Sequence, residues 1–296
     1  MGRITARRRV TRIRTGAEPT TRADVLAVEE PLEIRVGGSP LAVTMRTPGD
    51  DVELAAGFLV SEGVLTSAED LRTARYCAGA TDEGVNTYNV LDVAIADHIA
   101  PLAPDVTRNF LTTSACGLCG KASIDTVVTR SAFTSADDDL VVDSATMLSL
   151  PARLRDGQAV FDKTGGLHAA ALFDGHTGEM LVLREDVGRH NAVDKVIGWA
   201  LVRDLLPLRG HILQVSGRAS FELVQKAAMA GLPMLSAVSA PSSLAADLAD
   251  ERGITLLGFV RDDSLVVYTR PDRVTVSGPP ARASDGETPR PGHRSA

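Results

Sequence analysis

The stretch ILQVSGRASFELVQKAAMAGLPMLSAV, residues 212–238, decides the fold class. It runs from a short apolar segment, 212–215, through a segment with helical spacing of its apolar residues, 221–230, to a second short apolar segment, 234–238. A further helix and two further strands follow the same pattern up to residue 269. Short apolar strands that alternate with helices are typical of a largely parallel sheet covered by helices. The sequence therefore predicts an α/β fold.

The rest of the chain divides into further predicted elements. Segments 167–173 and 180–187 predict a hairpin, and 192–202 predicts a helix. Nearer the N-terminus, alternating apolar residues on both sides of the Gly37-Gly38-Ser39-Pro40 turn predict another hairpin. We expect two domains between disordered ends: a disordered Arg-rich arm over 1–22, a smaller mixed α/β domain carrying a Cys-x-x-Cys loop over 23–140, a C-terminal domain over 141–276 and a disordered tail over 277–296.

The net charge of −7 is unevenly distributed along the 296 residues. Residues 1–22 hold seven arginines against one glutamate, residues 277–296 carry +1, and the body between them therefore carries −14. Such an acidic body argues against a nucleic-acid-binding protein, because neutralising phosphates needs a basic face. Only four of the 31 basic residues are lysines: Lys121, Lys163, Lys195 and Lys226. We expect each of them at a position where a compact ammonium is needed and a guanidinium does not fit.

Neither a membrane protein nor a secreted one is expected. No apolar run is long enough to span a bilayer, and the Arg-rich N-terminal region is not followed by the apolar segment of a signal peptide. The three cysteines, Cys77, Cys116 and Cys119, are too few for a disulfide-stapled secreted domain. Cys77 follows an apolar alternation and is expected in the core. We expect a protein of the reducing cytoplasm, without a membrane partner.

Small, hydroxyl-bearing and basic residues follow the predicted strands of the second half. They occupy segments 184–191, 216–220, 239–243 and 260–264. In open α/β sheets, ligands bind outside the carboxyl ends of the strands, where helix N-termini present backbone N–H groups to anions. The same residue types also serve as ordinary helix N-caps, but their recurrence along one sheet edge predicts a phosphate-bearing ligand.

The sharpest local signal is the segment 112–121, TTSACGLCGK, with Cys116 and Cys119. A structural zinc site would need a second ligand pair, and a zinc deaminase would need a His-x-Glu that occurs nowhere in the sequence, so we expect no zinc. A thioredoxin-like switch usually has an aromatic residue before its first cysteine, whereas small residues stand here. The flanking glycines and Lys121 favour an accessible thiol with thiolate character.

Together with four other segments, this loop resembles the FdhD/NarQ family of formate dehydrogenase accessory sulfurtransferases. The matching segments are CGLCG at 116–120, FDKTGGLH at 161–168, EDVGRHNAVDK at 185–195, SGRASFE at 216–222 and GFVR at 258–261. Their order and spacing match over roughly residues 25–269.

The resemblance implies a sulfur carrier that takes sulfur from a cysteine desulfurase as a persulfide on Cys116. It then passes the sulfur to the molybdenum bis(molybdopterin guanine dinucleotide) cofactor before insertion into formate dehydrogenase. The resemblance also implies a homodimer and a C-terminal domain with a cytidine deaminase-like, three-layer fold. The residues that it implies for the guanine nucleotide part of the cofactor are Phe259, Val260, Arg261, Asp262, Asp263 and Ser264.

Several alternatives stay open at this point. Cys119 either resolves the persulfide, helps to receive the sulfur, or polarises Cys116. A thiol–disulfide oxidoreductase that uses both cysteines, or a cofactor chaperone without catalytic cysteines, would also fit. His168 and His190 are expected to contact phosphate or donate protons, or only to hydrogen-bond within the fold. Arg261 is either a phosphate clamp or the partner of Asp262 or Asp263 in a turn.

Overall fold

The computed structural model describes residues 3–77, 88–100 and 131–276 and confirms a mixed α/β fold. The first half contains β1 (Thr5–Arg14), β2 (Ala17–Ala27), β3 (Glu30–Val36), β4 (Ser39–Arg46), α1 (Asp51–Ser61), β5 (Leu71–Tyr76) and β6 (Val90–Ile95). The second half contains β7 (Val142–Asp143), α2 (Ser144–Gly157), α3 (Phe161–Thr164), β8 (His168–Asp174), β9 (Met180–Asp186), α4 (Arg189–Val202), β10 (His211–Val215), α5 (Phe221–Met229), β11 (Met234–Ala237), α6 (Ser243–Arg252), β12 (Thr255–Arg261), β13 (Ser264–Val267) and β14 (Val274–Thr275). Within these ranges we find no helix with the length and apolarity that a membrane crossing requires.

Within the described residues, the main sheet has six strands in the order β13-β12-β11-β10-β8-β9. The expectation of a largely parallel sheet is wrong: of the five pairs of adjacent strands among these six, only β10–β11 and β11–β12 are parallel. The other three pairs are antiparallel because β8–β9 and β12–β13 are hairpins, which add strands at the two sides of the parallel centre. Since β8 is antiparallel to both of its neighbours, β9, β10, β11 and β12 all run in the same direction. Their carboxyl ends therefore meet at one edge of the sheet.

Helices cover both faces of this sheet and make three layers. Helices α4, α5 and α6 bury their apolar residues with one face of the sheet, and α2 packs on the other. Helix α2 was not predicted from the sequence, because its interior holds Pro151, a residue that disfavours helix. Its buried residues Met147, Leu150 and Leu154 nevertheless have helical spacing, and Asp143 caps its first turn by accepting from the N–H of Ala145.

The smaller sheet has four strands in the order β4-β3-β6-β5, and its helix α1 packs against α4 of the second half. Two glycines make this crossing close. A Cβ on Gly57 would collide with the carbonyl oxygen of Asp194, and a Cβ on Gly198 with that of Glu53. The two helix backbones thus approach each other at a distance that only glycine allows. One apolar core consequently continues from the small sheet, through the crossing, to the large sheet.

The expected disorder of residues 1–22 is wrong for the described part, which forms strand β1 and the start of β2. The two strands pair from Thr5 opposite Ala27 to Arg14 opposite Ala17. Gly16 closes the turn at a φ of 76°, and β-branched valine and threonine residues support the strands. The many arginines of this segment were read as a sign of disorder, and the strand-forming valine and threonine residues between them were overlooked. The expected disordered tail, 277–296, lies outside the described residues.

Residues 131–140, placed before the expected domain boundary, are bound to the second half. Arg273 is almost fully buried and donates to the carbonyl groups of Ser135 and Asp138 at 2.6 and 2.9 Å. Ser131 Oγ donates to the carbonyl group of Ala228 at 2.9 Å. The second half therefore holds this segment through hydrogen bonds to its backbone.

The glycine crossing leads to a stability prediction. We expect Gly198→Ala to force α1 and α4 apart and to lower the free energy of unfolding by about 1–3 kcal/mol or more, as overpacking does in well-packed cores. Urea denaturation followed by circular dichroism measures this change. The control is Gly166→Ala, where a Cβ meets only the carbonyl oxygen of Thr164 at 3.9 Å. Equal urea midpoints for the two variants would contradict the prediction.

Candidate functional site

The carboxyl edge of the large sheet gathers the segments that follow β9, β10, β11 and β12, as expected. His168 lies opposite Asp186 at this edge, and Val215 lies opposite Ala170. Ala219 forms a bridge with Pro241, and the N–H of Phe259 donates to the carbonyl group of Ser239 at 3.3 Å. Four polar segments that are far apart in sequence are thereby assembled into one surface.

A cleft of about 580 Å³ opens at this edge between α2, α3 and the start of β8. Its walls are mainly apolar, and its polar lining comes from Arg155, Gln158, His168 and Ser216. The apolar lining residues are Pro151, Leu154, Phe161, Leu167, Val187 and Val238, with Gly165 and Gly166. A concave site of this size, with few polar groups on apolar walls, suits part of a small-molecule ligand.

Two motif segments build the wall of this cleft together. The carboxylate of Glu185, near the end of β9, accepts hydrogen bonds from the N–H groups of Val160 and Phe161 at 2.9 and 2.7 Å. These bonds hold the first turn of α3. Arg155 lies over the ring of Phe161, 4.8 Å from its centroid, and pairs with Asp162 at 2.6 Å. The segment 161–168 is therefore positioned by residues on α2 and β9.

His168 lies at the mouth of the cleft and is half-buried. Burial lowers the pKa of its imidazole below 6.5, and the positive charge of Arg189 lowers it further. A neutral ring can accept a hydrogen bond or a proton from a ligand in the cleft. Beside it, the hydroxyl of Ser216 accepts from the N–H of Ala169 at 2.8 Å, which fixes the start of the loop after β10.

His190, Ser220 and Glu222 form a second polar group behind this edge. His190 Nε2 lies 3.5 Å from Ser220 Oγ and 3.8 Å from Glu222 Oε2. Burial tends to raise the pKa of Glu222, but hydrogen bonds from His190, its own backbone and Ser220 outweigh it and lower the pKa to about 2. Ser220 and Glu222 approach the same ring nitrogen of His190. A hydrolytic triad needs the serine at one ring nitrogen and the carboxylate at the other. This group therefore anchors the start of α5.

The four lysines were expected where a compact ammonium is needed, and only some of them lie at such positions. Lys195 is 1% exposed, and its ammonium lies 2.8 Å from Asp186 Oδ2 and 3.0 Å from the carbonyl oxygen of Thr47. Lys226 binds both oxygens of Asp194 at 2.7 and 2.8 Å, so it is not the ion-pair partner of Glu222. Lys163 is exposed on α3, and Lys121 lies outside the described residues. Lys195 thus occupies a buried site and Lys226 a partly buried one.

The Asp186–Lys195 pair orients the loop between β9 and α4. Asp186 also accepts from the N–H of Thr47 at 3.1 Å, from the N–H of Gly188 at 2.8 Å and from the amide of Asn191 at 3.0 Å. The end of β4 is thereby joined to the start of α4. In the sequence, Asp186, Asn191 and Lys195 are distinguished only as members of the motif at 185–195. Their spacing of four to five residues around a predicted helix start was the available signal.

The segment expected to bind the guanine nucleotide lies at the end of β12 and in the turn to β13. Phe259 has a φ of 51° and is 38% exposed. The guanidinium of Arg261 lies over its ring, 5.8 Å from the ring centroid. Val260 is fully buried, so only its backbone faces the edge. Asp262, Asp263 and Ser264 are exposed in the turn, and Arg261 makes no ion pair with either aspartate.

The cysteines with the most important expected roles, Cys116 and Cys119, lie outside the described residues. Cys77 is half-buried at the end of β5, and its N–H donates to the carbonyl group of Val90 at 2.9 Å. The expectation that Cys77 is a core residue is therefore wrong. Among residues 3–77, 88–100 and 131–276, no three His, Cys, Asp or Glu side chains are grouped so that they could hold a metal ion.

Comparisons with known proteins agree with this arrangement. The model of the FdhD/NarQ family matches residues 27–275. A protein of Streptomyces coelicolor named sulfur carrier protein FdhD is 61% identical over 93% of this chain and 98% of its own length. Proteins of the same name from Mycolicibacterium paratuberculosis and Mycobacterium tuberculosis are 59% and 58% identical over 92% and 93% of this chain, and over 99% and 100% of their own lengths.

A solved structure shows the same fold. It is the crystal structure of a formate dehydrogenase accessory protein from Desulfotalea psychrophila, which superposes with a TM-score of 0.73 over 92% of this chain and 100% of its own. The two sequences are 24% identical.

The lowered pKa of His168 predicts a pH dependence of stability. Because the pKa is below 6.5 in the folded state, the unfolded state binds more protons as the pH falls, and stability decreases from about pH 7 downward. We expect His168→Gln to lose less stability than the wild type between about pH 7.5 and pH 5.5. Thermal unfolding across this range measures the effect, and exposed His176→Gln is the control. Parallel pH profiles for His168→Gln and the wild type would contradict it.

Proposed function

The chain belongs to the FdhD/NarQ family, and from this membership we propose that it is a sulfur carrier protein required for formate dehydrogenase activity. One observation carries the proposal: three proteins named sulfur carrier protein FdhD are 58–61% identical to the chain over 92–93% of its length. The polar sheet edge described above supports it, because a carrier of this kind must hold a large anionic acceptor beside a reactive thiol.

Cys116 is the proposed persulfide carrier and makes the protein a sulfurtransferase. Its thiolate attacks the outer sulfur of a persulfide on a cysteine desulfurase, a new S–S bond forms on Cys116, and the donor leaves as a thiolate. Lys121 and the glycines beside the pair favour this reactivity. A subsequent attack by the Cys119 thiol would form a Cys116–Cys119 disulfide and release the outer sulfur as hydrogen sulfide, which balances atoms and electrons. Cys119 is thus the proposed resolving partner.

The proposed acceptor is the molybdenum bis(molybdopterin guanine dinucleotide) cofactor, which the protein handles as a substrate. The exposed ring of Phe259 offers a stacking surface for a guanine base, and Arg261 beside it offers a charge-assisted contact for a phosphate. The carboxylates of Asp262 and Asp263 can accept hydrogen bonds from the N–H groups of guanine. Val260 contributes through its backbone, and Ser264 through its hydroxyl.

The wider setting of this function is also part of the proposal. The donor is a cysteine desulfurase, the recipient of the sulfurated cofactor is formate dehydrogenase, the working form is a homodimer, and the location is the cytoplasm. The second half, in which α2 and the helices α4 to α6 sandwich a six-stranded sheet, is the proposed cytidine deaminase-like domain. Its three layers support that assignment.

The first test of the proposal is the sulfur adduct. After incubation with a cysteine desulfurase and cysteine, we expect peptide mass spectrometry to find one added sulfur atom on the peptide containing Cys116. Thiol reduction should remove the adduct. Cys116→Ala should abolish loading, whereas Cys119→Ala should still be loaded and should retain the sulfur longer, because the resolving thiol is missing.

Two outcomes would contradict this assignment. An adduct that persists in Cys116→Ala but is lost in Cys119→Ala would exchange the roles of the two cysteines. A protein that accepts no sulfur, but cycles between dithiol and disulfide with a generic substrate, would be a thiol–disulfide oxidoreductase instead.

The second test concerns Arg261 and guanosine diphosphate. We expect Arg261→Ala to weaken nucleotide binding by roughly tenfold or more, the effect of losing a charge-assisted contact of about 1.5–3 kcal/mol. Isothermal titration measures the affinity, and loading of Cys116 should be unchanged. Arg72→Ala, an exposed arginine on β5 of the other sheet, is the control. Equal affinity in a folded Arg261→Ala protein would remove this residue from the nucleotide site.

A further inference from the structure

The hairpin of β1 and β2, which we call the basic arm (residues 5–27), has an unusual position in the molecule. Its strands pair with each other over their whole length, but nearly all of their side chains are exposed. Strand β2 contacts the short helix α3. A two-stranded hairpin without a covered face is only marginally stable in water. The basic arm therefore gains most by lying against a second surface.

The charge of the basic arm indicates the chemistry of that surface. None of the five arginines of β1 (Arg7, Arg8, Arg9, Arg12 and Arg14) forms an ion pair within the described ranges, and Arg22 pairs only with Asp24 of the same arm. The chain as a whole carries −7, and with seven arginines and two acidic residues in its first 27 positions, the remainder carries −12. The molecule thus combines a basic projection with an acidic body.

An acidic surface that matches the arm lies on helix α6. Its buried side, with Ala245, Leu248 and Ala249, packs toward the core. Its outer side exposes Asp247, Asp250 and Glu251. Among the described residues, only Glu251 of these three forms an ion pair, with Arg252 at 3.6 Å. We call these three carboxylates the acidic face of α6. The basic arm of the same chain makes no extensive contact with α6 in the described structure.

The spacing of the charges is also complementary. Arg12 and Arg14 lie two residues apart at the turn end of β1, at most about 6.6 Å apart along the strand, with a register shift between them. Asp247 and Glu251 are four residues apart on α6 and lie on one side of the helix, about 6 Å apart along its axis. A strand laid along the helix can therefore bring both pairs of opposite charges together without stretching either element.

We propose that the basic arm of one copy of the chain docks on the acidic face of α6 of a second copy, with Arg12 and Arg14 opposite Asp247 and Glu251. The contact can occur twice in a twofold-symmetric dimer, each copy giving its arm and receiving the other. The inference rests on the homodimer in the proposed function and identifies the surfaces that form it. It is independent of the chemistry of Cys116.

A second copy is favoured over nucleic acid as the occupant. A duplex bound to the basic arm would bring its phosphates near a body that carries −12, which repels them. The same acidic body attracts the arm of another copy. Because exposed ion pairs are screened by salt, the resulting dimer must weaken steeply as ionic strength rises.

Charge reversal tests this contact. In sedimentation velocity, the wild type should dimerise at about 0.1 M NaCl and dissociate toward monomer at about 1 M, where the Debye length falls from about 10 to about 3 Å. Arg12→Glu with Arg14→Glu should raise the dissociation constant at least about tenfold, and so should Asp247→Arg with Glu251→Arg. A mixture of these two double variants should associate again, because each arm then meets a helix of opposite charge. The control, Arg72→Glu with Arg75→Glu, makes the same change in net charge on exposed residues of β5 and should leave the dimer intact.

Several results would overturn the inference. A wild type that stays monomeric at low salt would show that no second copy binds the acidic face of α6. A dimer that persists in both double variants would show that other surfaces form it. Failure of the mixture to associate would show that the two charged surfaces do not meet. Arm-dependent binding of duplex DNA by a monomer would assign the arm to nucleic acid. Sulfur loading of Cys116, measured in the same variants, separates these results from a failure of the proposed function.

Discussion

The structure depends first on the crossing of α1 and α4 at Gly57 and Gly198. Each glycine lets the other helix's backbone approach to a distance that a Cβ would forbid. This contact joins the small sheet to the large one through a continuous apolar core. It also sets the direction of α4, whose first turn lies at the carboxyl edge of the large sheet. The crossing therefore joins the small sheet to the half of the chain that carries the candidate site.

Buried ion pairs reinforce this junction with directional contacts. Asp186 and Lys195 hold the end of β4 through Thr47, and Asp194 receives Lys226 from α5 and the hydroxyl of Ser61 from α1. Charges removed from water are favourable only when they are paired and fully hydrogen-bonded, and removing one partner of a buried pair costs about 3–5 kcal/mol. These pairs consequently favour the arrangement of α1, α4 and α5 in which each charge keeps its partner.

The sheet edge combines a rigid frame with polar groups suited to an anionic acceptor. The carboxylate of Glu185 fixes the wall of the cleft, Ser216 fixes the loop after β10, and His168 has a neutral ring at the mouth. Phe259 and Arg261 project from the next part of the same edge. A sulfur carrier for a nucleotide-linked cofactor needs these two properties together, since the acceptor must be held while a separate thiol delivers sulfur to it.

Features that depend on neighbouring residues could be predicted from the amino-acid sequence. Alternation on both sides of the Gly37-Gly38 turn predicted β3 and β4, and helical spacing predicted α5. The order of polar segments after the strands predicted the shared edge. Missed or misread elements had a contrary local signal, such as Pro151 within α2 or the arginines of the basic arm. The order of the strands in the main sheet, the glycine crossing, and the contacts of Asp186 with Lys195 and Thr47 became apparent only in the folded chain. The physical reason is that periodicity and turn chemistry act within one element, whereas burial of a charge or approach of two backbones depends on elements more than 100 residues apart.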